Sequence, residues 1–118
     1  MILTEDQEKF RDAAREFVQR AVVPHSDAWE EARGFPRELL REMGRMGLMS
    51  VTVPPEWGGA GADYVSYSLT LMEIAAGDGA LSTLVSGQNS VLCMPLVEYG
   101  TDEQRERYLK GTASGELL

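Results

Sequence analysis

Four groups of residues in this chain have types or spacings that could do chemistry. Gly58, Gly59 and Gly61 precede a helix-forming stretch, and glycine-rich turns leading into a helix can hold phosphate through backbone amides. Their spacing matches neither the dinucleotide nor the P-loop pattern. Asp63 stands where that helix would cap itself, so its own carboxylate would occupy the anion position. No Lys or Arg is near. The segment reads instead as a rigid turn at Pro54 and Pro55 and a tight loop anchored by Trp57. His25, the only histidine, sits beside Pro24 without partners and reads as a surface or capping residue, not a base. Cys93, the only cysteine, has nothing nearby to lower its pKa and reads as a small buried apolar residue, not a nucleophile. A lone cysteine also allows no internal disulfide and no metal quartet, and it suits a reducing compartment.

The fourth group lies in DGALSTLVSGQNSVLCMPLVEY, from Asp78 to Tyr99, which carries no charge between Asp78 and Glu98. Leu81, Leu84, Val85, Val91, Leu92 and Met94 recur as on a helix. Ser82, Thr83, Ser86, Gly87, Gln88, Asn89 and Ser90 interrupt them, and the stretch is expected to be too polar and broken to span a membrane. A helix apolar on one side and small on another suits the centre of a bundle. The small face of Thr83, Gly87 and Ser90 leaves room for a neighbouring helix or a ligand.

The chain has 118 residues and a formal charge of −8. That length suits one domain, burying roughly two thirds of its unfolded surface. The negative charge argues against nucleic acid and anionic membranes as partners. Residues 1–45 hold eight of the eleven basic side chains, and none lies between Met46 and Gln104. Helices without cations suggest faces covered from outside the chain, by another domain or another copy. The start at Met1 leads into a capped polar helix, so no secretory signal is expected.

The elements that must position these groups follow from caps and breakers. Thr4 and Gln7 have capping-box spacing, and Phe10, Ala13, Ala14, Phe17, Val18 and Ala21 recur at helical spacing up to Pro24, where the helix is expected to end. A short helix over 25–32 would face Trp29 inward, and Gly34 would break the chain. Pro36 opens a helix whose stripe is Leu39, Leu40, Met43 and Met46, with Gly47 ending it. Asp63 to Ala76 forms another, with Tyr64, Tyr67, Leu71, Ile74 and Ala75 inward and Gly77 at its end. Asp78 caps the central helix, which should bend near Pro95. Thr101 and Gln104 repeat the capping box, Tyr108 and Leu109 pack inward, and Gly111 is expected to stop the last helix. Leu117 and Leu118 directly after a turn suggest the entrance to a further element. The whole reads as an all-α bundle of about five to six helices.

Five motifs then fall in register: FP at 35–36, GxxGL from Gly44 to Leu48, VPPEWGGAG at 53–61, NSxxxMP from Asn89 to Pro95, and YGTDEQRERYL at 99–109. Together they resemble the N-terminal helical domain of the flavin-dependent acyl-CoA dehydrogenases, over essentially the whole chain. The resemblance implies α,β-dehydrogenation of an acyl-CoA thioester, in which a glutamate takes the α proton and FAD accepts hydride from the β carbon. It implies that residues 1–118 are the N-terminal domain, with a middle β domain and a C-terminal helical domain holding the catalytic glutamate and flavin segments. No catalytic residue is then expected here, Glu73 and Glu98 included. FAD belongs to the complete protein and would not be held tightly by this segment, and no residue here is assigned to it. The partners implied are acyl-CoA, an electron acceptor and further copies in a homo-oligomer, in the cytoplasm. By the same resemblance Thr83, Leu84, Gly87, Gln88 and Val91 form one wall of the acyl slot, although Leu84 and Val91 suit a core equally. Small residues at Thr83 and Gly87, four apart on one face, imply a deep slot for long or branched acyl groups. Acyl-CoA oxidase and nitroalkane oxidase resemble the same fold. A rival reading is a free-standing helical module that binds a partner or a fatty tail without flavin.

Overall fold

Helix caps decide where the chain turns in the computed structural model, which describes residues 1–118 and contains only helices, turns and loops. α1 occupies residues 5–32. It runs as α-helix over Glu5–Phe17, widens to a π turn at Val18–Val22, tightens to a 3-10 turn at Val23–His25 and resumes over Ser26–Ala32. α2 is Arg37–Arg45, α3 is Tyr64–Gly77 and α4 is Gly79–Tyr99. α5 covers residues 102–114, and a single 3-10 turn, Pro55–Trp57, interrupts the long loop between α2 and α3. Both capping boxes form, at Thr4 with Gln7 and at Thr101 with Gln104.

Two aspartates cap the middle helices, and each uses its second oxygen to tie in α1. Asp63 accepts from Ser66 N and from Gln7 Nε2, both at 2.8 Å. Asp78 accepts from Leu81 N at 2.8 Å and from Ser26 Oγ at 2.6 Å. The core then fills between α1, α2, α3 and α4 with Phe17, Val22, Met43, Ile74, Leu81 and Val85, all nearly free of solvent. A smaller cluster of Val53, Cys93 and Leu109 lies under Trp57, so the tryptophan anchors its loop as expected. The result is a slab of 40 × 38 × 18 Å.

Several expectations need correction. Pro24 does not end α1: the π turn places Val23 N on Val18 O, and Pro24, which has no amide to satisfy, enters the following 3-10 turn. Gly34 does break the chain as expected: α1 ends at Ala32, Arg33 takes the left-handed conformation (φ 57°), and the Gly34 amide reaches back to Trp29 O. Gly111 does not stop α5. It lies inside the helix because Leu117 folds back on it, at 2.7 Å from where a Cβ would stand; Gly115, with φ 78°, ends the helix. Met46, Tyr64 and Ala75, expected inward, are exposed. Tyr108 is exposed as well: within the π turn at Arg105–Leu109 only Leu109 is buried. By length and composition α4 does reach what a membrane-crossing helix needs, contrary to expectation, but its buried side chains belong to the core of this bundle.

The most constrained polar group is the Asn89 carboxamide, 2% exposed. Its Oδ1 accepts from Val51 N at 2.7 Å, and its Nδ2 donates to Leu48 O at 2.9 Å and Val85 O at 3.0 Å. Replacing Asn89 by Leu leaves a buried amide and carbonyl without partners and should lower stability by about 3 kcal/mol, measured by urea unfolding. The two hydrogen bonds to Asp63 hold its carboxyl below the ordinary range, the backbone bond from Ser66 being the larger cause. Its contribution is therefore complete above the unfolded value of about 4 and is lost as pH falls through the lowered folded value. Melting of the native chain and of Asp63→Ala should differ at pH 7 and converge under acid.

Candidate functional site

α3 and α4 form an antiparallel pair joined only by the Gly77–Asp78 corner, so residues equally far from the corner face each other. Where α4 carries small side chains on its outer side, a groove of about 600 Å³ opens between the two helices. Its α4 wall is Thr83, Gly87 and Val91 with Ser82, Ser86 and Ser90, and its α3 wall is Leu71, Met72 and Ala75. A Cβ built on Gly87 would meet nothing within 4 Å, so that position opens into the groove. Val91 and Met72 are 69% and 66% exposed at its rim. A second groove, about 540 Å³, lies across the ridge of Val91 between α4 and α5, with Leu92, Tyr99 and Tyr108 among its apolar walls.

Of the five residues expected on one wall, the structure brings Thr83, Gly87 and Val91 together in the first groove. Leu84 is half-buried against the main core. Gln88 is 5% exposed, and its Nε2 donates to Thr112 O at 2.9 Å and to Leu117 O at 3.1 Å. Leu71, Met72 and Ala75 were not anticipated as lining. The hairpin register counted outward from Gly77 and Asp78 would have pointed to them.

Three of the four hydroxyls on the α4 wall are directed into the helix, and the fourth, Ser86 Oγ, accepts from Tyr67 Oη at 3.4 Å. Ser82 Oγ and Thr83 Oγ1 donate to Gly79 O at 2.7 and 3.3 Å, and Ser90 Oγ donates to Ser86 O at 2.6 Å. Such back-bonding leaves methylene and methyl groups toward the groove and can bend a helix. α4 is indeed irregular there: it widens to a π turn over Gly87–Cys93, with Met94 N on Asn89 O, just before Pro95, which has no amide to offer.

The remaining candidates take structural places. The loop amides of Gly58, Gly59, Gly61 and Ala62 bond to Pro55 O, Pro54 O, Val53 O and Val51 O, and that of Ala60 to Ser50 O; none is free to hold phosphate. His25 is exposed and stacks on Trp29 with ring centroids 5.7 Å apart. Glu73 is held by Arg15 in a bidentate pair, at 2.7 and 3.1 Å, and Glu98 is exposed on α4 outside both grooves. No three His, Cys, Asp or Glu side chains gather as metal ligands would.

With this geometry in place, known proteins offer a comparison. The family model described as acyl-CoA dehydrogenase, N-terminal domain, matches residues 4–116. An acyl-CoA dehydrogenase of Bacillus subtilis is 36% identical over 118 residues, 100% of this chain and 31% of that protein. A 3-(aryl)acrylate reductase of Clostridium sporogenes is 37% identical over 116 residues, 98% of this chain and 31% of the relative. Among solved structures, glutaryl-CoA dehydrogenase of Mycobacterium smegmatis matches with a TM-score of 0.91 at 36% identity, covering 98% of this chain and 30% of its own. The chain thus spans about 31% of the length of such curated relatives.

Cys93 is fully enclosed, and burial pushes its thiol up to about 11. A thiol reagent at pH 8 should label the native chain far more slowly than the urea-unfolded chain, followed by mass spectrometry. Equal rates would contradict the enclosed, protonated thiol.

Proposed function

Because the chain belongs to the acyl-CoA dehydrogenase family as an N-terminal domain, we propose that it supplies one wall of the acyl slot in an FAD-dependent dehydrogenation of acyl-CoA thioesters. The observation that carries this reading is the uncharged groove between α3 and α4, on whose wall the Ser82, Thr83 and Ser90 hydroxyls donate into the helix. An acyl tail laid there meets Leu71, Ala75, Val91 and the open face of Gly87, while the Ser82, Thr83 and Ser90 hydroxyls keep their acceptors within the helix. Leu84 and Gln88 support the same wall from behind, one through the core and one by fastening residues 112–117 to α4.

This chain's share of the chemistry is orientation and exclusion of water. No carboxylate lines the groove, so the base that takes the α proton would come from a further part of the polypeptide, as would the residues that hold the flavin. The segment does not fit a dinucleotide by itself, because its loop amides are committed and no Lys or Arg stands between Met46 and Gln104. The proposal therefore places residues 1–118 as the N-terminal domain of a longer protein with a middle β domain and a C-terminal helical domain. An electron acceptor and further copies of the chain are its proposed partners. The reading carries a cytoplasmic setting, which the free, buried Cys93 suits.

The open space at Gly87 gives the direct test. Gly87→Glu in the complete, flavin-loaded protein should reduce kcat/KM on long acyl-CoA substrates by about 100-fold, while short ones lose tenfold or less. Equal loss across chain lengths would remove the groove from the acyl path.

A further inference from the structure

The Gln88 carboxamide has both of its protons committed to one short stretch of chain. Gln88 follows Gly87 in α4, is 5% exposed and lines neither groove. Its Nε2 donates to Thr112 O at 2.9 Å and to Leu117 O at 3.1 Å. The two acceptors differ in what else holds them. Thr112 lies in the last turns of α5, and Gly115 N also reaches its carbonyl, at 3.3 Å. Leu117 lies beyond the end of the helix at Gly115, and its carbonyl bonds to Gln88 alone. The turn before it is fixed from other sides. Glu116 N and Leu117 N both bond to Gly111 O at 3.0 Å, and Ser50 Oγ donates to Ala113 O at 3.0 Å. α2 leaves no room on its flank, since a Cβ on Gly44 would overlap Ser114 O. Residues 112–115 are thus seated on α2 and the loop after it, whereas the bond that ties Leu117 to α4 comes from Gln88. Carbonyls past a helix end need donors, and water supplies them at exposed positions. Leu117 is exposed, so a buried side chain is not needed for that purpose. What Gln88 adds is register between the chain leaving α5 and the residue beside Gly87.

We infer that Gln88 is a positioning residue, which sets the path of the chain beyond Leu117 relative to the α3–α4 groove. The inference rests on the acyl-wall reading above, in which a longer polypeptide brings the base and the flavin to that groove. A misplacement of about 1 Å between substrate and reacting groups costs on the order of 100-fold in rate. Loss of the tie should therefore slow the chemical step. Affinity for the acyl group should stay, because Gln88 does not line the groove.

The test uses the complete flavin-loaded polypeptide that carries this domain, with the fastest-reacting of butyryl-, octanoyl- and palmitoyl-CoA. Gln88→Met keeps the length of the side chain and removes both donors; Gln88→Glu, made alongside, removes them by a second route if Gln88→Met does not fold. Gln88→Lys keeps donors for both carbonyls at the end of α5, where a cation is favoured. Peptide hydrogen exchange across residues 112–118 should quicken about tenfold in Gln88→Met and return toward the native rate in Gln88→Lys. Flavin reduction at saturating thioester should slow by about 10- to 100-fold in Gln88→Met and recover in Gln88→Lys. The thioester dissociation constant from calorimetry should be unchanged in both. Ser50→Ala removes a bond of the same turn that does not reach Leu117; it should lower the urea midpoint and leave the reduction rate as it was. A native reduction rate in folded Gln88→Met or Gln88→Glu overturns the inference. Equal slowing in Ser50→Ala, or no recovery in Gln88→Lys, also overturns it, because the effect is then one of stability. A native protein that none of the three thioesters binds or reduces overturns the acyl-wall reading itself.

Discussion

The Asn89 carboxamide sets the orientation of the helix on which the rest depends. By bonding to Leu48 O and Val51 N it joins α4 to the segment that follows α2, and by bonding to Val85 O it rejoins its own helix. Gln88, one position earlier, reaches Thr112 O and Leu117 O on the opposite flank. Two adjacent amides therefore pull one side of α4 inward toward both neighbouring segments. Helical geometry then leaves Thr83, Gly87 and Val91, spaced four apart, on the outward side. The open face of the groove follows from the satisfied amides behind it.

The π turn adds the second constraint. Pro95 cannot donate to the carbonyl four residues back, and a widened turn before it lets the helix continue with Met94 N on Asn89 O. Arg105 closes the same helix by donating to Leu96 O at 3.1 Å and Val97 O at 2.9 Å, satisfying carbonyls that would otherwise lack partners at a helix end. The irregular centre is thus held at both ends, by Asp78 as N-cap and by Arg105 at the last turn.

What was legible in the sequence is what depends on near neighbours. Thr4, Asp63, Asp78 and Thr101 cap their helices as read, because a cap needs only the next three residues. Gly111 was misread because a glycine serves either a turn or a close approach, and only tertiary packing tells which. Leu117 lying on Gly111 decides it. The small face of Thr83 and Gly87 was visible as a break in charge and size. The buried bonding of Asn89 and Gln88 was not legible, and Gln88 was expected on the slot wall instead, since their distant partners lie 24 to 41 residues away. The α3 wall was hidden for a related reason: Ala75 was read as inward and Met72 was not singled out, and only the α3–α4 pairing brings both to the groove.

The most direct measurement is a crystal structure of the complete protein with a non-reactive thioether analogue of a long acyl-CoA. The account predicts acyl carbons within about 4 Å of Gly87 and Val91, in van der Waals contact along the α3–α4 groove. A groove filled instead by side chains of the protein, with the acyl chain lying elsewhere, would contradict it.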